Sequence, residues 1–466
     1  MWDLLVLTAG NESQKRDFEI LLAESDVLRY CREVAVIADY PHEVKIGSGG
    51  ATMNVLHTLG DGVVEKHILL IHSGGLSQRM PHLSALGKIF ATLPDGSSIL
   101  EKKLNTYKLL PTLLPPGLLI CASDVVEDVS AFKECNPESQ MIAFATESSL
   151  EIAVDHGVFV LDSNGNLKSV LQKPSLKLLK DAAAVLPSGN ALTDCFYWIS
   201  WTVCEQLGSL WRDSGPCTVE TCCYGDFMRP LGYAPLLDYI EQGPAELSMW
   251  RKSFAEIFSK ISPQVVNLGV DSFFHMGTPR ELKQHCRRNS VFHRKFLSSF
   301  SEAVHCSLTN CSIGSGSLLD YCKLRNATIG EGCIVSCCES TKPLQIASES
   351  MLFTLSFRDN MERFYTTILL QTDDDVKAKK EKLFWMGRDT HLRDVSLWNA
   401  KLFPVARSRQ ESLLETLEVM EGTELNSRRI SISEAVARSD IEDMVTFRKA
   451  SRVSFFPPLI HDPLMQ

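Results

Sequence analysis

The chain has no CxxC pair, no basic segment ahead of its first apolar run and no hydrophobic stretch long enough to span a bilayer. Its 15 cysteines are an odd number without zinc-ligand spacing, which fits reduced thiols better than a disulfide framework. The adjacent pairs Cys222–Cys223 and Cys337–Cys338 are poor shared metal ligands, because neighbouring side chains on a strand point to opposite faces. They are expected to be buried as small apolar residues. Met1-Trp2-Asp3 offers no charged leader, so no signal peptide is expected. The most apolar later stretch, Leu109–Ala122, is broken by three prolines and is too short for a membrane span. Positive charge is not in excess either: 47 Lys and Arg face 57 Asp and Glu, a formal net charge of -10. Nonspecific nucleic-acid binding needs the opposite balance. No nucleic-acid or membrane partner is expected, and a cytoplasmic location is. Oligomeric state is not legible at this level.

What is present is the composition of an ordinary globular protein, 44% hydrophobic and 22% charged. A chain of 466 residues is too long for one core, so at least two domains are expected. Leu4–Ala9, Val34–Ala38, Ile68–His72, Leu118–Ala122 and Met141–Ala145 read as buried strands, alternating with amphipathic stretches such as Lys15–Glu24 and Ser98–Leu110. That alternation predicts an α/β domain with a mixed, mostly parallel sheet, and places chemistry just beyond the carboxyl ends of the strands. A hairpin is expected over Gly157–Gln172, turning at Ser163–Asn166. After a short helix at Pro279–Cys286 the texture changes. From Ser301 to Cys338, short Ile/Cys/Val strands punctuated by Asn and Gly suggest a β-helix-like domain with flanking helices. The expected division is a catalytic domain over 1–286 and a second domain over 287–466. Thr372–Lys382 reads as a solvated charged segment, and Ser439 with Glu442 as a capping box opening a C-terminal helix.

The strongest motif is Ile68-Leu-Leu-Ile-His-Ser-Gly-Gly-Leu-Ser-Gln-Arg-Met-Pro81, followed by Gly87-Lys88. A buried strand runs into Gly74 and Gly75, then Ser77, Arg79 and Lys88. The glycines let backbone approach a polyphosphate without a Cβ clash. Arg79 offers a planar donor fork and Lys88 a compact charge. The segment is neither a Walker loop, since Ile89 follows the Gly-Lys, nor a GxGxxG dinucleotide loop. Lys45-Ile-Gly-Ser-Gly-Gly-Ala-Thr52 is a second glycine-rich loop. Asp124, ending a buried strand, and Asp226 are candidate Mg²⁺ ligands, because that ion takes one or two carboxylates plus substrate oxygens. Lys173, set before Pro174, is placed to hold a sugar phosphate. His156 either touches the sugar or its phosphate or is a structural imidazole bonded to backbone, Asp194 could bind sugar hydroxyls, and His275 reads as structural.

The signature loop resembles that of sugar nucleotidyltransferases, and within them the fucose-1-phosphate guanylyltransferase (GDP-L-fucose pyrophosphorylase) family and the front half of bifunctional fucokinases. Trp2–Ala9, Lys45–Thr52, Ile120–Val125, Asp155–Phe159, Leu171–Ser175, Ala191–Asp194, Tyr224–Phe227, Phe274–Thr278 and Leu397–Val405 follow in that family's order. The resemblance implies transfer of GMP from GTP to L-fucose 1-phosphate with Mg²⁺. It implies Arg79 and Lys88 as catalytic, and Gly47, Ser48, Gly49, Gly50, Thr52, Gly74, Gly75 and Ser77 as nucleotide-binding. Lys173, His156 and Asp194 follow as sugar-phosphate ligands. Guanine and fucose enter through the resemblance alone. Two rival readings remain: the same chemistry on another sugar and base, and a noncatalytic scaffold, which should have lost the charges at Arg79, Lys88, Asp124, Lys173 and Asp226.

Overall fold

The computed structural model describes residues 1–424 and 426–453. They group into two compact units: Met1–Gly75 with Leu100–Phe274, and Leu76–Ile99 with the chain from His275 onward. Segments 76–99 and 275–286, grouped with the first domain on sequence, therefore belong to the second unit.

The first unit is built on four apolar runs: β1 (Trp2–Ala9), β2 (Cys31–Ala38), β3 (His67–His72) and β4 (Gly117–Ala122). They lie parallel in the order β2-β1-β3-β4. The linking segments include α1 (Glu12–Ala23), α2 (Gly47–Leu59) and α3 (Ile99–Tyr107). Successive residues Leu5, Val6 and Leu7, and likewise Leu69, Leu70 and Ile71, are inaccessible to solvent. Burial on both sheet faces is why the runs are continuous rather than alternating, and each such side chain contributes about 1.5–3 kcal/mol. After the short β5 (Val125–Glu127), β6 (Met141–Ser148) and the hairpin β7 (Gly157–Leu161) and β8 (Leu167–Gln172) follow, then β9 (Ala191–Ser200) and β10 (Gln264–Asn267). β9 runs antiparallel between β4 and β6, β10 closes that edge, and β7–β8 branches from β9. The fold is thus mixed α/β, with the antiparallel β9 separating the four-stranded parallel block from the parallel pair β6–β10.

The first unit departs from sequence at Gly47–Thr52, which opens α2 instead of forming a loop. Glycine is a poor helix former, but here it is the residue that fits. A Cβ at Gly49 would lie 2.7 Å from Thr221 Oγ1, and one at Gly47, whose φ is +69°, 2.2 Å from the Thr221 carbonyl oxygen. Packing overrides propensity.

In the second unit, strands three apart in order pair in parallel. Ala303–Val304, Leu318–Asp320, Ile334–Ser336 and Ser350–Asp359 form one ladder. Ser307–Thr309, Lys323–Arg325 and Glu339–Ser340 form a second, and Ser312–Ile313, Ala327–Ile329 and Leu344–Ile346 a third. Cys306 and Cys322 stack at equivalent positions, the Cys322 amide donating to Cys306 Sγ at 3.3 Å. Cys337 and Cys338 are both buried, and all 15 cysteines are free thiols. The first ladder ends in a long antiparallel hairpin of Ser350–Asp359 with Glu362–Gln371. The expected C-terminal helix spans Ile441–Val453, but its cap is Asp440, not Ser439: Asp440 Oδ1 accepts from the Asp443 amide at 3.2 Å while Oδ2 takes Arg363 at 2.9 Å. A salt-bridged carboxylate outcompetes the hydroxyl beside it. A full capping box sits instead at Ser431 and Glu434. No helix among the described residues is long and apolar enough to cross a membrane.

Candidate active site

In the first unit the carboxyl ends of β1 and β3 meet where the chain order reverses, the position at which open α/β sheets take ligands. Glycine lies just beyond both ends, Gly10 after Ala9 and Gly74 after His72-Ser73. A Cβ at Gly74 would lie 3.0 Å from the Gly10 amide nitrogen, and one at Gly10 3.3 Å from that of Gly75. Their donors are organised from the flanks. Thr8 Oγ1 accepts the amides of Ser73 (3.0 Å) and Gly74 (3.2 Å). Gln14 Oε1 accepts those of Gly10 (2.7 Å) and Gly75 (3.2 Å), and Gln14 Nε2 donates to the Gly75 carbonyl at 2.9 Å. The glycine pair therefore supplies close approach on a rigid turn, its own amides being already bonded within the protein. Thr8 and Gln14 were not singled out on sequence. The available signal was position, one next to last in the first strand and the other in the first turn of the helix after it.

The opening of α2 is bound to the segment leading to Asp226. The Gly49 amide donates to the Thr221 carbonyl (3.0 Å), and Ser48 Oγ accepts from the Cys223 amide (3.0 Å). Thr52 is fully buried, its hydroxyl donating to the Ser48 carbonyl (2.9 Å) and lying 3.0 Å from His72 Nε2. Asp226 is 4% exposed. Its Oδ1 takes Arg251 Nε at 2.8 Å and its Oδ2 the Cys222 amide at 2.7 Å. Arg251 further donates to the carbonyls of Tyr239 (2.9 Å) and Gln242 (2.6 Å). Both oxygens of Asp226 are thus engaged within the protein, and a divalent cation there would have to share them with Arg251 and the Cys222 amide. Asp124, half-buried in the turn from β4 to β5, has the better placement. Among the described residues no group of three or more His, Cys, Asp or Glu side chains could hold a metal. An ion there would depend on substrate oxygens for most of its shell, the usual habit of Mg²⁺.

Beneath Asp124 lies a fully buried ion pair, Lys103 Nζ to Glu127 Oε2 at 2.7 Å, both side chains 0% exposed. Burial opposes the Lys103 charge, but Cys121, Glu127 and Asp124 around it raise its pKa above the usual lysine value.

The three residues expected to hold the sugar phosphate are brought together by the β7–β8 hairpin. The Lys173 amide donates to the His156 carbonyl at 2.9 Å, and Asp194 Oδ1 accepts from the Gly157 amide at 3.0 Å. Lys173 is exposed, in a left-handed conformation with φ +46° before Pro174. Such a conformation is unusual for a non-glycine residue. Burial pushes the Asp194 carboxyl up to about 6, partly offset by the Gly157 amide and the Lys173 charge. The His156 ring meets Phe273 edge-on at 5.7 Å. Gly157 is what allows this arrangement, since a Cβ there would lie 2.4 Å from Asp194 Oδ2. Gly157→Ala is therefore expected to cost about 1–3 kcal/mol by overpacking, seen as a lower urea midpoint. Wild-type stability in that variant would contradict the packing described.

Arg79, Lys88 and Ser77 belong to the second unit. Arg79 is exposed, with no hydrogen bond or ion pair to its side chain among the described residues. Ser77 adopts φ +50°, and its carbonyl accepts from the Met80 amide at 2.8 Å. Lys88 is buried, its Nζ donating to the Gly277 carbonyl at 3.3 Å, so it is tied to the Phe274–Thr278 motif. In that motif His275 Nδ1 lies 2.9 Å from Glu281 Oε1, the structural role expected of it.

The family model for the fucose pyrophosphorylase domain matches residues 60–408. The fucose-1-phosphate guanylyltransferase of Homo sapiens is 28% identical over 96% of this chain and 90% of its own length. That of Mus musculus is 28% identical over 96% and 92%. The bifunctional fucokinase/GDP-fucose pyrophosphorylase of Arabidopsis thaliana is 27% identical over 46% of this chain and 24% of its own. Among solved structures, a mannose-1-phosphate geranyltransferase from Thermus thermophilus covers 80% of this chain and 95% of its own at 11% identity. Its TM-score of 0.30 is too low to bear on the fold. The match across most of its length makes this chain a member of the fucose pyrophosphorylase family.

Proposed function

We propose that this protein transfers GMP from GTP to L-fucose 1-phosphate, giving GDP-L-fucose and pyrophosphate. The observation that carries the reading is the nearly end-to-end match to two relatives named for that activity. The retained charged residues agree with it, and a scaffold would have no use for an exposed Arg79 unengaged among the described residues.

A sugar phosphate has its second pKa near 6 and is largely dianionic at neutral pH, so it needs no general base to attack the α-phosphorus in line. The barrier is the approach of two anions. Unit charges at 4 Å repel by roughly 4 kcal/mol at an effective dielectric of 20. In this reading Lys173 holds the sugar phosphate beside His156 and Asp194, while Arg79 and Lys88 stabilise the pyrophosphate as it leaves. Gly47–Thr52, Gly74, Gly75 and Ser77 shape the nucleotide site. Mg²⁺, held by Asp124 with substrate oxygens, would supply further charge neutralisation on the triphosphate. We read the three parallel ladders as turns of a β-helix, and the free thiols as those of a cytoplasmic protein.

The test is a panel of GTP, ATP, UTP and CTP against fucose, mannose and glucose 1-phosphates, followed by sugar-nucleotide formation. GTP with fucose 1-phosphate should exceed every other pair. A preference for another pair, or no turnover with any, would overturn the proposal.

A further inference from the structure

We propose that Asp39 reads the base of the nucleotide, its two carboxylate oxygens accepting from guanine N1–H and the N2 amino group, with Tyr40 as a stacking surface. This rests on the GTP reading above and names the residue that selects the base.

Asp39 is the first residue beyond β2, and its amide donates to the Ala9 carbonyl at 2.8 Å. It therefore stands at the carboxyl edge of the parallel strands, beside the end of β1 and the Gly10–Gly75 crevice. Asn54 Nδ2 donates to the Ala38 carbonyl at 2.9 Å, fixing α2 against this same strand end. The Asp39 side chain is half-buried, yet no hydrogen bond or ion pair to it occurs among the described residues. It does not cap α2, whose N-cap is Ile46. Other candidate site carboxylates in the first unit are engaged: Asp226 by Arg251 and Asp194 by the Gly157 amide. An unpartnered, partly desolvated carboxylate is costly and uncommon. Burial pushes the Asp39 carboxyl up to about 7. Two good donors would return it to the charged form. Tyr40, adjacent in the chain, leaves 50% of its surface exposed, and His42 meets its ring edge-on at 5.7 Å. A half-exposed aromatic next in the chain to an unsatisfied carboxylate is a pairing that can stack a base and read its edge.

The chemistry selects guanine. A carboxylate is acceptor-only, and guanine presents two adjacent donors, N1–H and N2–H₂, that match it in the bidentate manner. Adenine and cytosine place a ring-nitrogen lone pair in that edge, and uracil flanks its single N–H with carbonyls. Each sets lone pair against lone pair, which rejects the wrong base as well as rewarding the right one.

The test compares GTP, ITP and XTP as donors to fucose 1-phosphate in the full-length wild type and in Asp39→Asn. ITP lacks the N2 amino group, and XTP replaces it with a carbonyl. The wild type should favour GTP over ITP by ~10-fold or more in kcat/KM and use XTP poorly. Asp39→Asn should lose about 100-fold with GTP. It should gain with XTP, because an asparagine amide pairs one acceptor with N1–H and one donor with the xanthine carbonyl. The GTP-to-XTP preference should invert. If the wild type uses GTP but takes ITP equally well, Asp39 does not read the base, and that comparison needs no variant. The same conclusion follows if Asp39→Asn keeps the wild-type preference. If the wild type prefers a nucleotide other than GTP, the proposed function fails first and this assignment with it.

Discussion

Arg79→Ala is expected to lower kcat/KM for GMP transfer by about 100-fold or more, the usual consequence of losing one preorganised contact to a transition-state charge. The unfolding free energy should stay within about 0.5 kcal/mol of wild type, as for other surface substitutions. The two expectations separate because the Arg79 side chain is exposed and makes no hydrogen bond or ion pair among the described residues. Lys88 is the contrast. Its Nζ is buried and donates to the Gly277 carbonyl, so Lys88→Ala should reduce turnover and stability together. Steady-state kinetics with a urea titration on each variant checks both. Wild-type turnover in Arg79→Ala would remove that guanidinium from the mechanism.

Lys103→Met should be the most destabilising single change in the first unit, at about 3–5 kcal/mol, since it strands a buried carboxylate. Glu127 is wholly inaccessible, and its Oε1 has no hydrogen-bond partner among the described residues. The cost is in the uncompensated charge rather than in the pair itself, so Lys103→Met/Glu127→Leu should recover most of the loss. Chemical denaturation of the two variants distinguishes these contributions. Equal stability of wild type and Lys103→Met would mean that Glu127 is not held charged in the core. Because the pair lies beneath the turn carrying Asp124, turnover is expected to fall with stability in the single variant and to return in the double.

The parallel strands were legible because burial on both faces leaves unbroken apolar runs ending at Ala9, Ala38, His72 and Ala122. The amino-terminal part of β2 was not, since Arg32 and Glu33 sit where this edge strand meets solvent. The hairpin that gathers His156, Lys173 and Asp194 could be read from its Ser163–Asn166 turn. What sequence could not supply was contact between distant segments. Thr221 against Gly49 turns an expected loop into a helix, and Arg251 pairs with Asp226, an expected metal ligand. Gln14 illustrates the same limit at the signature loop: nothing in its local sequence marks it as the side chain bonding both Gly10 and Gly75.

The central claim is that the α-phosphorus of GTP, not the γ-phosphorus, is transferred to the sugar phosphate. It is tested most directly by running the reaction with L-fucose 1-phosphate and either [α-³²P]GTP or [γ-³²P]GTP. Label from the α position should appear in the sugar nucleotide and label from the γ position in pyrophosphate. Label from the γ position in the sugar product, or in inorganic phosphate with no sugar nucleotide formed, would contradict the account.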